Sequence, residues 1–231
     1  MKHTEIFDQL KGHLIVSCQA LPDEPLHSSY IMSRMAFAAF EGGAKGIRSN
    51  SVEDIKAIKE TVALPVIGLI KKVYEGAGAD VYITPTEAEV DALAGSGCDI
   101  IAMDATKRVR AYGMTISEYF PLIRKKYPDA LFMADCSTYE EGMEAQRLGF
   151  DCVGTTLSGY TPYTRGRSLP DFEMMERLAR DLTIPLIAEG GIWTPEQLQK
   201  ALATGAAAAV VGTAITRPRD ITKRFVAAIE K

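Results

Sequence analysis

Eight short apolar runs recur along the chain, each followed by a longer amphipathic stretch, and this alternation constrains the fold more than any other feature of the sequence. The runs begin near His13 (HLIVSC), Ala44 (AKGIRS), Pro65 (PVIGLIK), Cys98 (CDIIAMD), Ala130 (ALFMADC), Asp151 (DCVGTT), Ile184 (IPLIAEGG) and Ala207 (AAAVVGT). They are nearly continuous in hydrophobic residues, as parallel strands covered on both faces must be. Helical patterns are predicted between them, over 28–40, 51–61, 86–94, 117–127, 138–148, 171–181, 194–203 and 220–230. Local signals agree. Ser51-Val52-Glu53-Asp54 offers a cap, Thr194-Pro195 an N-cap with proline at the first helical position, and Glu87, Glu89 and Asp91 favour a helix dipole. Gly43, Gly97, Gly149 and Gly205 sit where helix turns into strand, which gives the chain a weak internal repeat.

Eight β-then-α units in 231 residues, with no change of composition, predict a single (β/α)8 TIM barrel over residues 1–231. An open doubly wound sheet is the structural alternative. Residues 4–10 predict an extra short N-terminal helix, with Ile6, Phe7 and Leu10 on one side, suited to plug the bottom of the barrel.

Composition narrows the class. Hydrophobic residues make up 47% and charged residues 24%, with a net charge of -4 and scattered lysines and arginines, so neither disorder nor a nucleic-acid or membrane-surface footprint is expected. The start, Met1-Lys2-His3-Thr4-Glu5, lacks the basic-then-apolar order of a secretory leader, and no apolar run nears the ~20 residues of a membrane span. Cys18, Cys98, Cys136 and Cys152 lack a CxxC spacing and read as reduced, buried thiols of a cytoplasmic protein. His3, His13 and His27 lie near the start without metal-ligand spacing, so no metal site is expected.

Barrels of this type carry chemistry at the C-terminal ends of their strands. The successive runs end in Ser17-Cys18-Gln19, Arg48-Ser49, Lys71-Lys72, Asp104, Asp135-Cys136, Thr155-Thr156, Glu189-Gly190-Gly191 and Gly212-Thr213, with Arg217 soon after. One polar strand end is ordinarily solvated; so many in register indicate a site. Arg48, Lys71, Asp135 and Glu189 would place two cations and two carboxylates around one mouth. Glycines let the backbone approach an anion and expose N–H donors. Gly190, Gly191, Gly212 and Thr213 therefore read as a phosphate grip after the last two strands, where barrels often hold phosphate. The plain alternative is a pair of tight turns.

Lys71 emerges directly from a buried run. Strand side chains alternate, so only one of Lys71 and Lys72 can face the mouth. A free lysine, with a pKa near ~10.4, is a poor base at neutral pH. Desolvation and a neighbouring cation such as Arg48 would lower it, whereas a carboxylate partner would make it structural. The run Lys107-Arg108-Val109-Arg110 reads as a solvated loop, and His13 and Trp193 as structural.

Ala188-Glu189-Gly190-Gly191-Ile192-Trp193-Thr194-Pro195, followed by Val-Gly-Thr-Ala-Ile-Thr-Arg-Pro at 211–218, resembles the N-acetylmannosamine-6-phosphate 2-epimerases. Ser17-Cys18-Gln19-Ala20, Gly46-Ile47-Arg48, Gly68-Leu69-Ile70-Lys71, Met133-Ala134-Asp135-Cys136 and Thr156-Leu157-Ser158-Gly159-Tyr160-Thr161 follow in that family's order. The resemblance spans essentially the whole chain. It implies reversible conversion of N-acetylmannosamine 6-phosphate to N-acetylglucosamine 6-phosphate in bacterial sialic-acid catabolism, without a required metal or organic cofactor. It further implies Lys71 as the proton-transfer residue and Glu189 as its carboxylate partner. Gln19, Arg48, Asp135 and Arg217 would contact the sugar, its acetamido group or its phosphate.

Three other functions fit parts of the pattern. A Schiff-base lyase would use the strand-end lysine on a carbonyl. A metal-dependent epimerase would need strand-end histidines. A sugar-phosphate sensor would need a partner surface. A homodimer is the expected assembly, with Phe225, Val226 and Ile229 of the last helix as a candidate contact.

Overall fold

The computed structural model of the chain describes residues 3–73, 81–110 and 112–230. Its strands are β1 (Leu14–Cys18), β2 (Gly46–Asn50), β3 (Val66–Leu69), β4 (Lys71–Val73), β5 (Val81–Ile83), β6 (Ile100–Asp104), β7 (Phe132–Asp135), β8 (Cys152–Gly154), β9 (Leu186–Ala188) and β10 (Ala208–Val211). All but β4 and β5 are parallel and close into one barrel in chain order, with β10 pairing back onto β1. The helices are α1 (His3–Leu10), α2 (Ser29–Glu41), α3 (Val52–Thr61), α4 (Glu87–Ala94), α5 (Ile116–Lys126), α6 (Tyr139–Leu148), α7 (Phe172–Asp181), α8 (Pro195–Ala203), α9 (Thr213–Thr216) and α10 (Pro218–Ala227). The predicted closed barrel, rather than the open sheet, is what forms.

The continuous apolar runs follow from covering both strand faces. One set of alternating side chains, including Val16, Ile47, Ile101, Met103, Phe132, Ala134 and Val153, packs against helical residues such as Met32, Ile55, Ile58 and Phe120. The other set fills the barrel interior: Ile15, Ile67, Ile100, Met133, Cys152, Ile187 and Val210. Ile6 and Leu10 of α1 join this inner cluster, with Phe7 packed against it, so the N-terminal helix plugs the barrel as expected. Burying each such side chain contributes roughly 1.5–3 kcal/mol. Leu10 is why β2 begins with glycine: a Cβ on Gly46 would lie 2.6 Å from the Leu10 side chain.

Capping boxes set the starts of α4, α5, α6 and α8. Thr138 and Glu141 close one at α6, and Thr194 and Gln197 another at α8, each reciprocally satisfying exposed N–H groups.

Three expectations change. The third apolar run ends as barrel strand at Leu69, and Lys71 instead opens an antiparallel hairpin with β5, pairing with Ile83. The backbone turns out of the barrel because Thr84 replaces the neighbouring strand: its N–H donates to the Ile70 carbonyl at 2.7 Å and its hydroxyl accepts from the Ile70 N–H at 3.2 Å. The run at 107–110 is not simply solvated, since Arg108 and Arg110 are buried. Arg108 pairs with Asp104 and lies over the Tyr82 ring, while Arg110 reaches the Asp104 carbonyl and lies over Tyr119. Lastly, Cys18, Cys136 and Cys152 are buried as expected, but Cys98 is only partly so.

No described helix is long and apolar enough to cross a membrane. Helix α10 differs from the other described helices in burying none of its residues; Phe225 within it and Ile229 just past its end remain 73% and 80% exposed.

Candidate active site

A cavity of about 510 Å³ opens at the C-terminal mouth of the barrel. Ser17, Gln19, Lys71, Thr156, Glu189, Gly190, Gly191, Gly212, Thr213 and Arg217 all line it, so most of the predicted site residues meet at one place. The periodicity of the strands explains this convergence. Ser17 and Gln19 continue the inward set of Ile15, Lys71 that of Ile67 and Leu69, and Glu189 that of Ile187. Lys72 takes the opposite side and reaches toward Glu89 at 3.9 Å.

Arg48 and Asp135 are placed differently from expectation. Neither lines the cavity; both are fully buried beneath it, with Arg48 Nη2 2.7 Å from Asp135 Oδ2. Arg48 Nη1 lies 3.3 Å from Glu189 Oε2 and 3.4 Å from the Met133 sulfur. The physical reason is depth: Arg48 is the middle residue of β2, and its guanidinium finds two carboxylates before it reaches the mouth. Burial alone would loosen its proton, but Asp135 and then Glu189 outweigh that and hold it firmly charged. Gly154 leaves room for this layer, because a Cβ there would lie 2.2 Å from Met133 Cε and 3.2 Å from Asp135 Oδ1.

Glu189 connects the buried layer to the cavity. Its backbone is clamped by the buried Thr155 hydroxyl, which donates to the Glu189 carbonyl at 2.7 Å and accepts from its N–H at 2.9 Å. Its carboxyl pKa is raised, chiefly by burial and, against the pull of Arg48, by Asp135. The Thr156 hydroxyl lies 2.6 Å from Asp135 Oδ1 and 3.0 Å from Glu189 Oε2.

Lys71 faces Glu189 across the cavity from the start of β4. Its N–H donates to the Asn50 side chain at 2.8 Å, which fixes the chain where the hairpin leaves the barrel. Desolvation, then the cations Arg217 and Arg48, bring its pKa down to about 8, against the opposing pull of Glu189 and Glu24. The amine therefore gives up its proton more readily near physiological pH than a free lysine does.

The opposite wall is polar backbone. Gly190 and Gly191 both adopt positive φ (108° and 70°), and Gly212 caps the short helix α9, whose first residue is Thr213. Helix α9 is tied to the barrel by Thr216, whose hydroxyl donates to the Ser17 carbonyl at 2.7 Å. Arg217 follows directly and pairs with Glu24 at 3.2 Å; Glu24 also holds Arg219 at 3.0 Å and the Leu21 N–H at 2.8 Å. Buried Gln19 donates to the Ser17 hydroxyl at 2.9 Å, and its Oε1 has no hydrogen-bond partner among the described residues.

Several lining residues escaped the sequence reading. Val81 and Ile83 arrive on the hairpin, whose β5 strand is held by Arg108 donating to the Val81 carbonyl at 3.2 Å. Arg165 comes from the loop after β8 and Leu21 adds apolar surface, while Leu157 and Tyr160, read only as part of the motif at 156–161, line the cavity as well. Trp193 also lines the cavity rather than packing in the core, with the Arg224 guanidinium 4.7 Å over its ring. Among the described residues no cluster of three or more His, Cys, Asp or Glu side chains is arranged to hold a metal ion.

A family model described as "Putative N-acetylmannosamine-6-phosphate epimerase" matches residues 32–231. The chain belongs to this epimerase family. A relative from Caldanaerobacter subterraneus, named as a putative N-acetylmannosamine-6-phosphate 2-epimerase, is 58% identical over 227 residues, covering 98% of this chain and 95% of the relative. One of the same name from Clostridioides difficile is 56% identical over 225 residues, covering 97% and 99%. The solved structure of the N-acetylmannosamine-6-phosphate 2-epimerase from Clostridium perfringens matches with a TM-score of 0.92 at 54% identity, covering 99% of this chain and 98% of that one. The resemblance read from the strand-end motifs is thus borne out across the chain.

Proposed function

We propose that this protein is an isomerase that interconverts N-acetylmannosamine 6-phosphate and N-acetylglucosamine 6-phosphate by removing and returning the proton at C2. Membership of the epimerase family supports the choice of sugar. The observation that carries the chemistry is Lys71, a cavity-facing amine with its pKa brought down to about 8.

The hydrogen on C2 of the open-chain sugar is acidified by the adjacent C1 aldehyde. Neutral Lys71 accepts that proton, leaving an enolate; a proton delivered to the other face inverts C2 while the Lys71 ammonium gives up the proton it took, directly or through a substrate hydroxyl, so that the amine is neutral again. A base near its working pH is what such a step requires. Negative charge developing on the C1 oxygen needs a donor or a cation nearby. Glu189, with its raised pKa, supplies a proton or hydrogen bond there, and Arg48 supports it from beneath with fixed positive charge. Gln19 Oε1 suits the acetamido N–H. Gly190, Gly191, Gly212 and Thr213 cradle the phosphate at the positive end of α9, with Arg217 beside them. Holding the phosphate fixes C2 against Lys71, so remote binding energy contributes to positioning. The route uses no metal and no organic cofactor.

The test is proton NMR of the purified chain with N-acetylmannosamine 6-phosphate after dialysis against a chelator. New anomeric signals of the C2 epimer support the reading. An absence of turnover opposes it, and a covalent adduct trapped by borohydride opposes it and favours the Schiff-base lyase.

The assembly belongs to the same proposal. A second copy of this chain is proposed to cover Phe225, Val226 and Ile229, which the described chain leaves exposed along its terminal helix.

A further inference from the structure

The Thr156 hydroxyl stands between two carboxyl oxygens, 2.6 Å from Asp135 Oδ1 and 3.0 Å from Glu189 Oε2. A hydroxyl carries one proton and donates one hydrogen bond. Two ionised carboxylates accept only, so one of these contacts has no hydrogen unless a carboxyl brings its own. The shorter contact, to Asp135, takes the threonine proton. Asp135 is also the carboxylate that meets Arg48 head-on, at 2.7 Å through its other oxygen. Glu189 must then supply the hydrogen for the longer contact, donating from Oε2 to Thr156 while its remaining lone pair faces Arg48 Nη1 at 3.3 Å.

The geometry points to Thr156 as a positioning residue that sorts the proton between the two carboxyls, keeping Asp135 ionised and holding a transferable proton on Glu189. The groups facing Glu189 are Arg48 from β2, Lys71 from β4, Asp135 from β7 and Thr156 after β8. Burial raises its pKa in the sense this arrangement needs. The chain of donors runs from Glu189 to Thr156 to Asp135, so a proton given by Glu189 to a substrate oxygen leaves a carboxylate that Arg48 stabilises. The proton returns to Glu189 as C2 is reprotonated and the enol collapses to the aldehyde, so the site balances before the product leaves.

With Glu189 protonated, the three groups make two hydrogen bonds through Thr156; with both carboxyls ionised they make one. Removing the hydroxyl therefore costs the protonated state one more hydrogen bond and lowers the Glu189 pKa. One neutral hydrogen bond corresponds to a shift of roughly half to one pH unit. A threonine that merely donated to ionised Glu189 would give the opposite sign when removed.

This inference deepens the proposed function by supplying the acid of that site, but its readout needs no substrate and no turnover, so the two can fail separately. Infrared difference spectra of the free enzyme across a pH titration would follow the protonated-carboxyl stretch that disappears in Glu189→Gln. Thr156→Val is expected to move the midpoint of that band down by about half to one unit, and Thr156→Ser to leave it in place. An upward shift or no shift in Thr156→Val overturns the assignment. If the valine variant does not fold, the wild-type spectrum still decides: a protonated-carboxyl band that is lost in Asp135→Asn but persists in Glu189→Gln puts the proton on Asp135 and overturns it equally.

Discussion

Arg48 and Asp135 form an ion pair at 2.7 Å with neither side chain exposed to solvent. Such a pair need not add net stability, yet removing Asp135 leaves buried Arg48 with only the longer contact to Glu189 at 3.3 Å, at a cost of up to about 3–5 kcal/mol. Asp135→Ala is therefore expected to lose about that much stability in denaturant unfolding, along with activity. The double variant Arg48→Met/Asp135→Leu should recover most of the stability and none of the activity. Equal loss of stability in the single and double variants would show that the pair is not the unit described.

Lys71 is costly to keep where it is. Its pKa of about 8 in the folded protein lies below the unfolded value of ~10.4, so the folded state binds its proton less tightly. The cost is fully present below pH 8 and fades as pH rises toward 10.4, where both states are neutral. Lys71→Met should thus stabilise the protein by about 1–3 kcal/mol at pH 7, with the gain shrinking between pH 8 and 10.4. Melting temperatures across that range check the sign. The same titration predicts that the loss of the Lys71 proton near pH 8 shapes one limb of kcat/KM, with the loss of the Glu189 proton opposing it as pH rises, so that the profile is bell-shaped.

The barrel was legible because its strands are covered on both faces, which leaves eight continuous apolar runs with little ambiguity. The inward set at the strand ends was legible for the same reason: Gln19, Lys71 and Glu189 share the alternation of the core residues before them. The hairpin was not. Lys71–Val73 and Val81–Ile83 are three residues each, too short for a period, and their pairing rests on Thr84 holding Ile70. Burial of Arg108 and Arg110 was hidden because a basic run looks solvated until Asp104, Tyr82 and Tyr119 are seen around it. The depth of Arg48 was hidden too, since sequence gives the side a residue faces and not how far its side chain lies below the mouth.

Gly191 joins backbone conformation to the phosphate grip. Its φ of 70° is unfavourable for a side chain, and a Cβ would lie 2.4 Å from Leu169 Cβ. Gly191→Ala is expected to raise KM by more than about 10-fold, since a displaced loop loses hydrogen bonds to phosphate. Steady-state kinetics check this; an unchanged KM would remove Gly191 from the anchor.

The terminal helix gives a test of assembly. Phe225→Glu/Ile229→Glu should convert a dimer to a monomer in sedimentation velocity, because the exposed apolar side chains would then carry charge. A wild-type chain that sediments as a monomer at micromolar concentration would contradict the proposed second copy.

The central claim is that the Lys71 amine moves the C2 proton. The direct measurement is incorporation of deuterium at C2 of N-acetylmannosamine 6-phosphate in deuterated water, followed by proton NMR for the wild type and Lys71→Met. Exchange by the wild type and none by the folded variant is the predicted result. Exchange at the wild-type rate in Lys71→Met would contradict the account.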